Sequence, residues 1–300
     1  MSSPLTLRQR ESRAGLALVS PTLVVVLAVV VLPIIWTVVL AFQRVRLATL
    51  RRTGLFGEFT LANFERVFGT PGFWETLWTT LVYSVCATAG SILLGGLAAL
   101  TVRRPFRGRT LVRASMLLPY VAPVVAVTFV WQVMLDPQLG IVNQWGTGLL
   151  GWDEPVAFLS DPATALVTVI AFETWRYFPF AFLFLLARLQ AVPGELEEAA
   201  RVDGATPTQR FRHILLPQLM PVVALLTVLR FIMTFNKFDD VYLLTGGAAG
   251  TEVVSVRVYR FLTARTDIGS ASAQALVLAV VLVVFVVIYL RFFSGRRTDR

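Results

Sequence analysis

The chain has 300 residues, of which 56% are hydrophobic and only 15% charged, with a formal net charge of +9 and a mean hydropathy of +0.71. A soluble domain carries about a quarter of its residues as charges, so this chain has too few to cover a water-facing surface; collagen, disorder and a disulfide-rich fold are excluded by the same numbers. The composition places it in a bilayer, and the positive balance reads as basic loops beside membrane spans rather than as nucleic-acid binding.

The rare residues narrow the chemistry. Cys86 is the one cysteine and His213 the one histidine, so an internal disulfide, a cysteine cluster and the two-histidine zinc motifs are excluded. Lys237 is the one lysine and follows Asn236, whereas a phosphate-binding P-loop needs Gly directly before its Lys. Energy from ATP must therefore arrive through another subunit. No cofactor or metal is called for, and no serine elbow or carboxylate pair outside the spans supports a membrane enzyme.

A bilayer core takes about 20 helical residues to cross. Six stretches qualify: 14–42, 77–102, 112–135, 163–188, 218–236 and 272–291. The expected architecture is an all-α membrane protein of six transmembrane helices. A tail at 1–13 precedes the first helix (14–42), an external loop covers 43–76, a five-helix core covers 77–291, and a tail closes the chain at 292–300. The first stretch is preceded by Arg8, Arg10 and Arg13 but far exceeds a signal-peptide core of roughly 7–15 residues, so it reads as a retained span. Arginines concentrate at the N-terminus, in the second connection (Arg103, Arg104, Arg107, Arg109, Arg113), in the fourth (Arg188, Arg201, Arg210, Arg212) and in the tail (Arg291, Arg296, Arg297, Arg300). The richer side is cytoplasmic, which puts both termini inside. The Arg44, Arg46, Arg51, Arg52 cluster is a local exception.

The fourth connection, 192–217, is not a plain loop. Glu195, Glu197 and Glu198 suit the positive end of a helix dipole, and Gly204 supplies a left-handed stop. Thr206, Pro207 and Gln209 form a capping-box pattern that starts a second short helix, with Phe211, Ile214 and Leu215 on one face and Pro217 ending it. Physics alone leaves two uses for this pair: resting on the lipid surface or docking a protein. The small Ala199–Ala200 pair favours docking.

The order Glu198-Ala199-Ala200, Asp203-Gly204, Ile214 and Leu216-Pro217 resembles the EAA loop of ABC importer permeases at full spacing. The flanks, Leu189 to Pro193, Phe235 to Asp239 and Leu243 to Gly247, resemble the maltose-type carbohydrate family in particular, as do Leu118-Pro119-Tyr120 and Thr174-Trp175. The resemblance implies a type I ABC importer permease fold with a cytoplasmic coupling helix. It also implies a second homologous permease, two cytoplasmic ATPase subunits that bind the loop, and an external solute-binding protein. Glu198, Ala199, Ala200, Asp203, Gly204, Ile214 and Pro217 are the implied coupling residues.

Glu173 and Arg176 lie near the middle of the fourth span and Arg230 lies in the fifth. A charge at the bilayer centre costs on the order of 3 kcal/mol, so such residues face a cavity or a partner. One arrangement is an internal ion pair; the other, favoured here, is a hydrated substrate cavity. Positions matching the family's sugar-lining faces are Tyr120, Val124, Glu173, Arg176, Tyr177, Phe180, Arg230, Thr234 and Lys237. Aromatic rings would stack on sugars and the charges would bind hydroxyls. Three cations also suit an anionic or phosphorylated polyol. An ion-coupled secondary transporter is a weaker alternative, since it leaves the EAA element unexplained. Trp131 reads as an interfacial anchor.

Overall fold

The computed structural model describes residues 7–49 and 58–294. The sequence features at 1–6, the Arg51–Arg52 pair and the tail arginines Arg296, Arg297 and Arg300 lie outside the described residues. In chain order the helices are α1 (Leu7–Val26), α2 (Leu32–Ala41), α3 (Ala62–Gly69), α4 (Phe73–Thr101), α5 (Arg109–Val121), α6 (Val124–Met134) and α7 (Ile141–Leu149). There follow α8 (Ala165–Gln190), α9 (Gly194–Val202), α10 (Pro207–Arg210), α11 (Leu216–Phe235), α12 (Asp239–Thr245), α13 (Val254–Thr263) and α14 (Ile268–Ser294). Five helical stretches are long and apolar enough to cross a membrane, and α5 with α6 makes a bent pair that counts as a sixth if it forms one span.

Contacts divide the chain into two units, residues 1–71 with 258–278 and residues 72–257 with 279–300. In the first unit, a π-helical turn at Leu27–Val31 joins α1 to α2. Its apolar side chains face outward, with Leu18 82% and Val29 67% exposed, which in water would be untenable and in lipid is the expected state. Beyond α2, Asn63 donates to the carbonyls of Ala41 and Gln43 at 3.0 and 2.8 Å. Asp267 accepts from the Ser270 amide at 3.0 Å in the first turn of α14 and also pairs with Arg66. Gly269 passes so close to the chain that an added Cβ would lie 2.4 Å from the Gln43 carbonyl.

The second unit is built on α4 against α8. The α4 face is small: Ser84, Ala87, Ser91, Gly95, Ala98 and Ala99 are all buried. Small residues let helix backbones approach closely, which is how helices associate where lipid offers no hydrophobic drive. Opposite them stand Phe178, Ala181, Phe182 and Leu185, with Leu215, Leu219 and Leu226 completing the core. A Cβ on Gly95 would lie 2.7 Å from the Phe182 amide nitrogen and 2.8 Å from the Phe178 carbonyl. Because the obstacle is backbone, Gly95→Ala must push the helices apart. We expect a stability loss of about 1–3 kcal/mol, read as a lowered thermal midpoint of the purified transporter.

Two sequence expectations change. The stretch 112–135 is not one straight span: it breaks between α5 and α6 with a 94° bend. Pro123 forces its predecessor out of the helical region, and Ala122 accordingly sits at φ −64°, ψ 141°. Pro217 does not end the second short helix either. A π-helical turn at Phe211–Leu215 carries α10 directly into α11, with Pro217 in the first turn of α11. The longer-range π pattern accommodates a residue with no amide hydrogen to give.

Between α6 and α8 the connection is tied down by Asn143. Its carboxamide accepts from the Val156 amide at 2.7 Å and donates to the Val156 carbonyl at 3.1 Å. Asp136 accepts from the amides of Leu139 and Gln138, which holds its carboxyl below the usual carboxylate range.

Candidate functional site

Two groups of residues stand out in the second unit: a cluster of charges among α8, α11 and α12, and the exposed α9–α10 pair. In the first, Arg230 donates to Glu173 at 2.9 Å, and the two side chains are 1% and 0% exposed. Thr234, one turn after Arg230, also approaches Glu173, at 3.3 Å. Asp240 on α12, itself 0% exposed, lies 3.3 Å from the Lys237 ammonium and 3.8 Å from Arg176 Nε. Two carboxylates thus face three cations in a largely buried cluster, where a lone charge would be costly and a paired one persists.

Tyr177 sits among the cations. The Arg230 guanidinium is 4.3 Å, the Lys237 ammonium 4.6 Å and the Arg176 guanidinium 5.7 Å from its ring centroid. Lys237 also donates to the Tyr177 hydroxyl. The ring face is electron-rich, so it spreads the positive field. Tyr177 meets Tyr120 edge-on at 5.8 Å, and Tyr120 contacts Phe180 at 6.1 Å. Tyr120 is exposed, Phe180 and Lys237 are half-buried, and Val124 is half-buried at the start of α6.

Arg176 has a second role. It donates to the Ala122 carbonyl at 3.1 Å, at the break between α5 and α6. A bent helix in lipid leaves backbone groups that must find a partner inside the protein, and Arg176 supplies one. The charge and the bend therefore explain each other.

The structure thus brings together Tyr120, Glu173, Arg176, Tyr177, Phe180, Arg230, Thr234 and Lys237. In this state Glu173 and Arg230 form the internal ion pair. Sequence reasoning missed Asp240, which balances Arg176 and Lys237; its i,i+3 spacing from Lys237 was the available signal. It also gave Trp131 only an anchoring role. Trp131 packs on Phe172 at 5.2 Å and Trp175 at 5.5 Å. Beside them lies an apolar pocket of about 330 Å³ lined by Ala126, Val127, Val130, Trp131, Met134 and Trp175.

The second group is open to the surroundings. Glu198, Ala199, Asp203 and Gly204 are exposed, Ala200 and Ile214 are half-buried, and Pro217 is exposed. Val202 is 88% exposed. Gly204 has φ +78°, and the Ala205 amide donates back to the Ala200 carbonyl at 2.8 Å, a left-handed helix stop. Thr206 accepts from the Gln209 amide, and Gln209 in turn accepts from the Thr206 amide at 2.7 Å, completing the capping box. Glu197 binds Arg103 through both carboxylate oxygens, fastening the base of α9 to the connection after α4.

Exposed apolar helices, a buried charge cluster and an exposed helix pair are the features of the membrane component of a transporter. Residues 91–300 match the family described as binding-protein-dependent transport system inner membrane component, and the chain belongs to that family. It is 37% identical to the inner membrane ABC transporter permease protein YcjO of Escherichia coli (strain K12), covering 92% of both chains. It is 32% identical to the trehalose/maltose transport system permease protein MalF of Thermococcus litoralis, covering 97% of both. A chain of a bacterial ABC transporter involved in import of the acidic polysaccharide alginate has the same fold, with a TM-score of 0.81 at 24% identity over 97% of this chain and 98% of that one.

Proposed function

We propose that this chain is the permease subunit of an ATP-driven importer for a carbohydrate or carbohydrate-like solute. It pairs with a second, similar permease; two cytoplasmic ATPase subunits hold the α9–α10 pair and hydrolyse ATP; an external solute-binding protein delivers the solute. Both termini are cytoplasmic. The observation that carries this reading is the α9–α10 pair itself: a left-handed stop and a capping box hold it rigidly, while Glu198, Ala199, Asp203 and Gly204 stay uncovered. A rigid exposed element with a small-residue face suits seating in a cleft of another protein.

For the solute, the charge balance favours a neutral sugar over an anionic or phosphorylated polyol. Glu173 and Asp240 already engage Arg230, Arg176 and Lys237, which offsets two of the three positive charges that would hold an anion. The trehalose/maltose relative agrees. The path runs past Tyr120, Val124, Phe180 and Lys237, with Glu173, Arg176, Tyr177, Arg230 and Thr234 as the buried layer behind them. The Trp131–Trp175 pocket offers rings on which the C–H face of a sugar stacks.

Proteoliposomes holding the complete transporter, with the binding protein outside and ATP at the ATPases, should take up a labelled disaccharide. Glu198→Lys should abolish ATP-coupled uptake while leaving the stability, read from thermal unfolding, within about 0.5 kcal/mol of wild type, as exposed substitutions do. Uptake of a polyol phosphate with no uptake of sugars would reject the carbohydrate assignment. Normal coupling in Glu198→Lys would reject the docking one.

A further inference from the structure

The connection between α4 and α5, the end of α8 and the base of α9 border a cavity of about 530 Å³. Arg103, Arg104 and Arg109 line one side of it, Gln190 and Glu197 the other. Three guanidinium groups therefore face a single carboxylate, and that carboxylate is committed to Arg103. Arg109 donates to the Val102 and Arg103 carbonyls at 2.8 and 2.9 Å; this fixes its position without neutralising its charge. Arg104 is exposed and has no hydrogen-bond or ion-pair partner among the described residues.

Exposed apolar side chains stand close to this basic cavity in the chain. Phe106, beside the lining Pro105, is 45% exposed, and Leu111 and Leu97 on the flanking helices are 76% and 61% exposed. A cationic recess joined to apolar side chains at the end of membrane helices matches a molecule with a phosphate head and hydrocarbon tails. A free phosphate or nucleotide would have no use for the neighbouring apolar side chains.

We propose that this cavity binds the phosphate of an anionic phospholipid, with its acyl chains along the exposed Leu97, Phe106 and Leu111. This goes beyond the transport reading and holds whichever solute is carried. It gives the bilayer a hold on α9, because the Arg103 that would meet the phosphate also binds Glu197.

The test is native mass spectrometry of the complete, delipidated transporter titrated with phosphatidylglycerol or phosphatidylcholine. Phosphatidylglycerol should bind in preference. Arg104→Glu, which removes no internal bond, should weaken that binding by about fivefold or more, the contribution of one basic residue near an anionic surface. Arg104→Lys should bind as wild type, and millimolar inorganic phosphate should fail to displace the lipid. Equal binding of the two lipids overturns the proposal, as does unchanged phosphatidylglycerol binding by Arg104→Glu. Displacement by inorganic phosphate would make the cavity a free-phosphate site and overturn it equally.

Discussion

Glu173→Gln should destabilise the purified transporter by about 3–5 kcal/mol, the usual result of removing one partner from a buried ion pair. Glu173 is 0% exposed and Arg230 1% exposed, and their contact is 2.9 Å. An amide can still accept one bond from Arg230 but cannot offset its charge. The cation is then held where neither water nor lipid solvates it, beside Arg176 and Lys237, which repel it. The double variant Glu173→Gln with Arg230→Gln should recover much of the loss, because replacing both partners leaves no orphaned charge. Thermal unfolding beside proteoliposome uptake separates the possibilities. An unchanged midpoint in Glu173→Gln, with altered uptake, would mean that water reaches this residue in the working cycle and that it contacts solute directly.

Gly204→Val should break coupling while sparing the spans. At φ +78° a side chain with Cβ pays about 1–2 kcal/mol, and a β-branched one has no compensating rotamer there. Nothing stands within 4 Å of the Cβ position, so the penalty is entirely backbone. The turn opens, the Ala205–Ala200 bond is lost, and α10 leaves its register against α9. Coupled uptake should fall roughly tenfold, the effect of about 1.4 kcal/mol on an equilibrium. Gly204→Asn is the control, since Asn tolerates the left-handed region, and it should retain most activity. Equal loss in both variants would show that contact at this position, not its backbone geometry, matters.

Much of this molecule is legible in its sequence because bilayer length and capping chemistry are local. The apolar stretches at 77–102 and 163–188 correspond to α4 and α8 within a few residues. The Thr206–Gln209 capping box and the positive φ of Gly204 follow from residue types within a few positions of each other. The bend at Ala122 was less legible. Pro123 disfavours a helical residue before it, but only the distant Arg176 makes a broken helix tolerable there. Pro217 misled for a related reason: the π turn that absorbs it has no sequence signal as strong as the proline itself. Asp240 escaped because hydropathy finds long apolar stretches, and α12 is a seven-residue helix beyond the end of one. The partnership of Glu173 with Arg230 joins residues far apart in the chain, and only packing selects it from the other pairings available to three cations.

The π turn has a mechanical consequence. Because α10 does not stop at Pro217, residues Pro207–Phe235 form a single rod of 29 residues, about 44 Å long at 1.5 Å per residue. Arg230 lies some 30 Å along this rod from Arg210. If the rod tilts by about 10° about its Arg210 end, the displacement at Arg230 is about 5 Å, enough to part a 2.9 Å contact. A small angular movement where α10 begins can therefore be felt at the Glu173–Arg230 pair along one continuous helical stretch. The same rod works in reverse, so strain around that ion pair reaches the exposed helix pair as a change in its attitude.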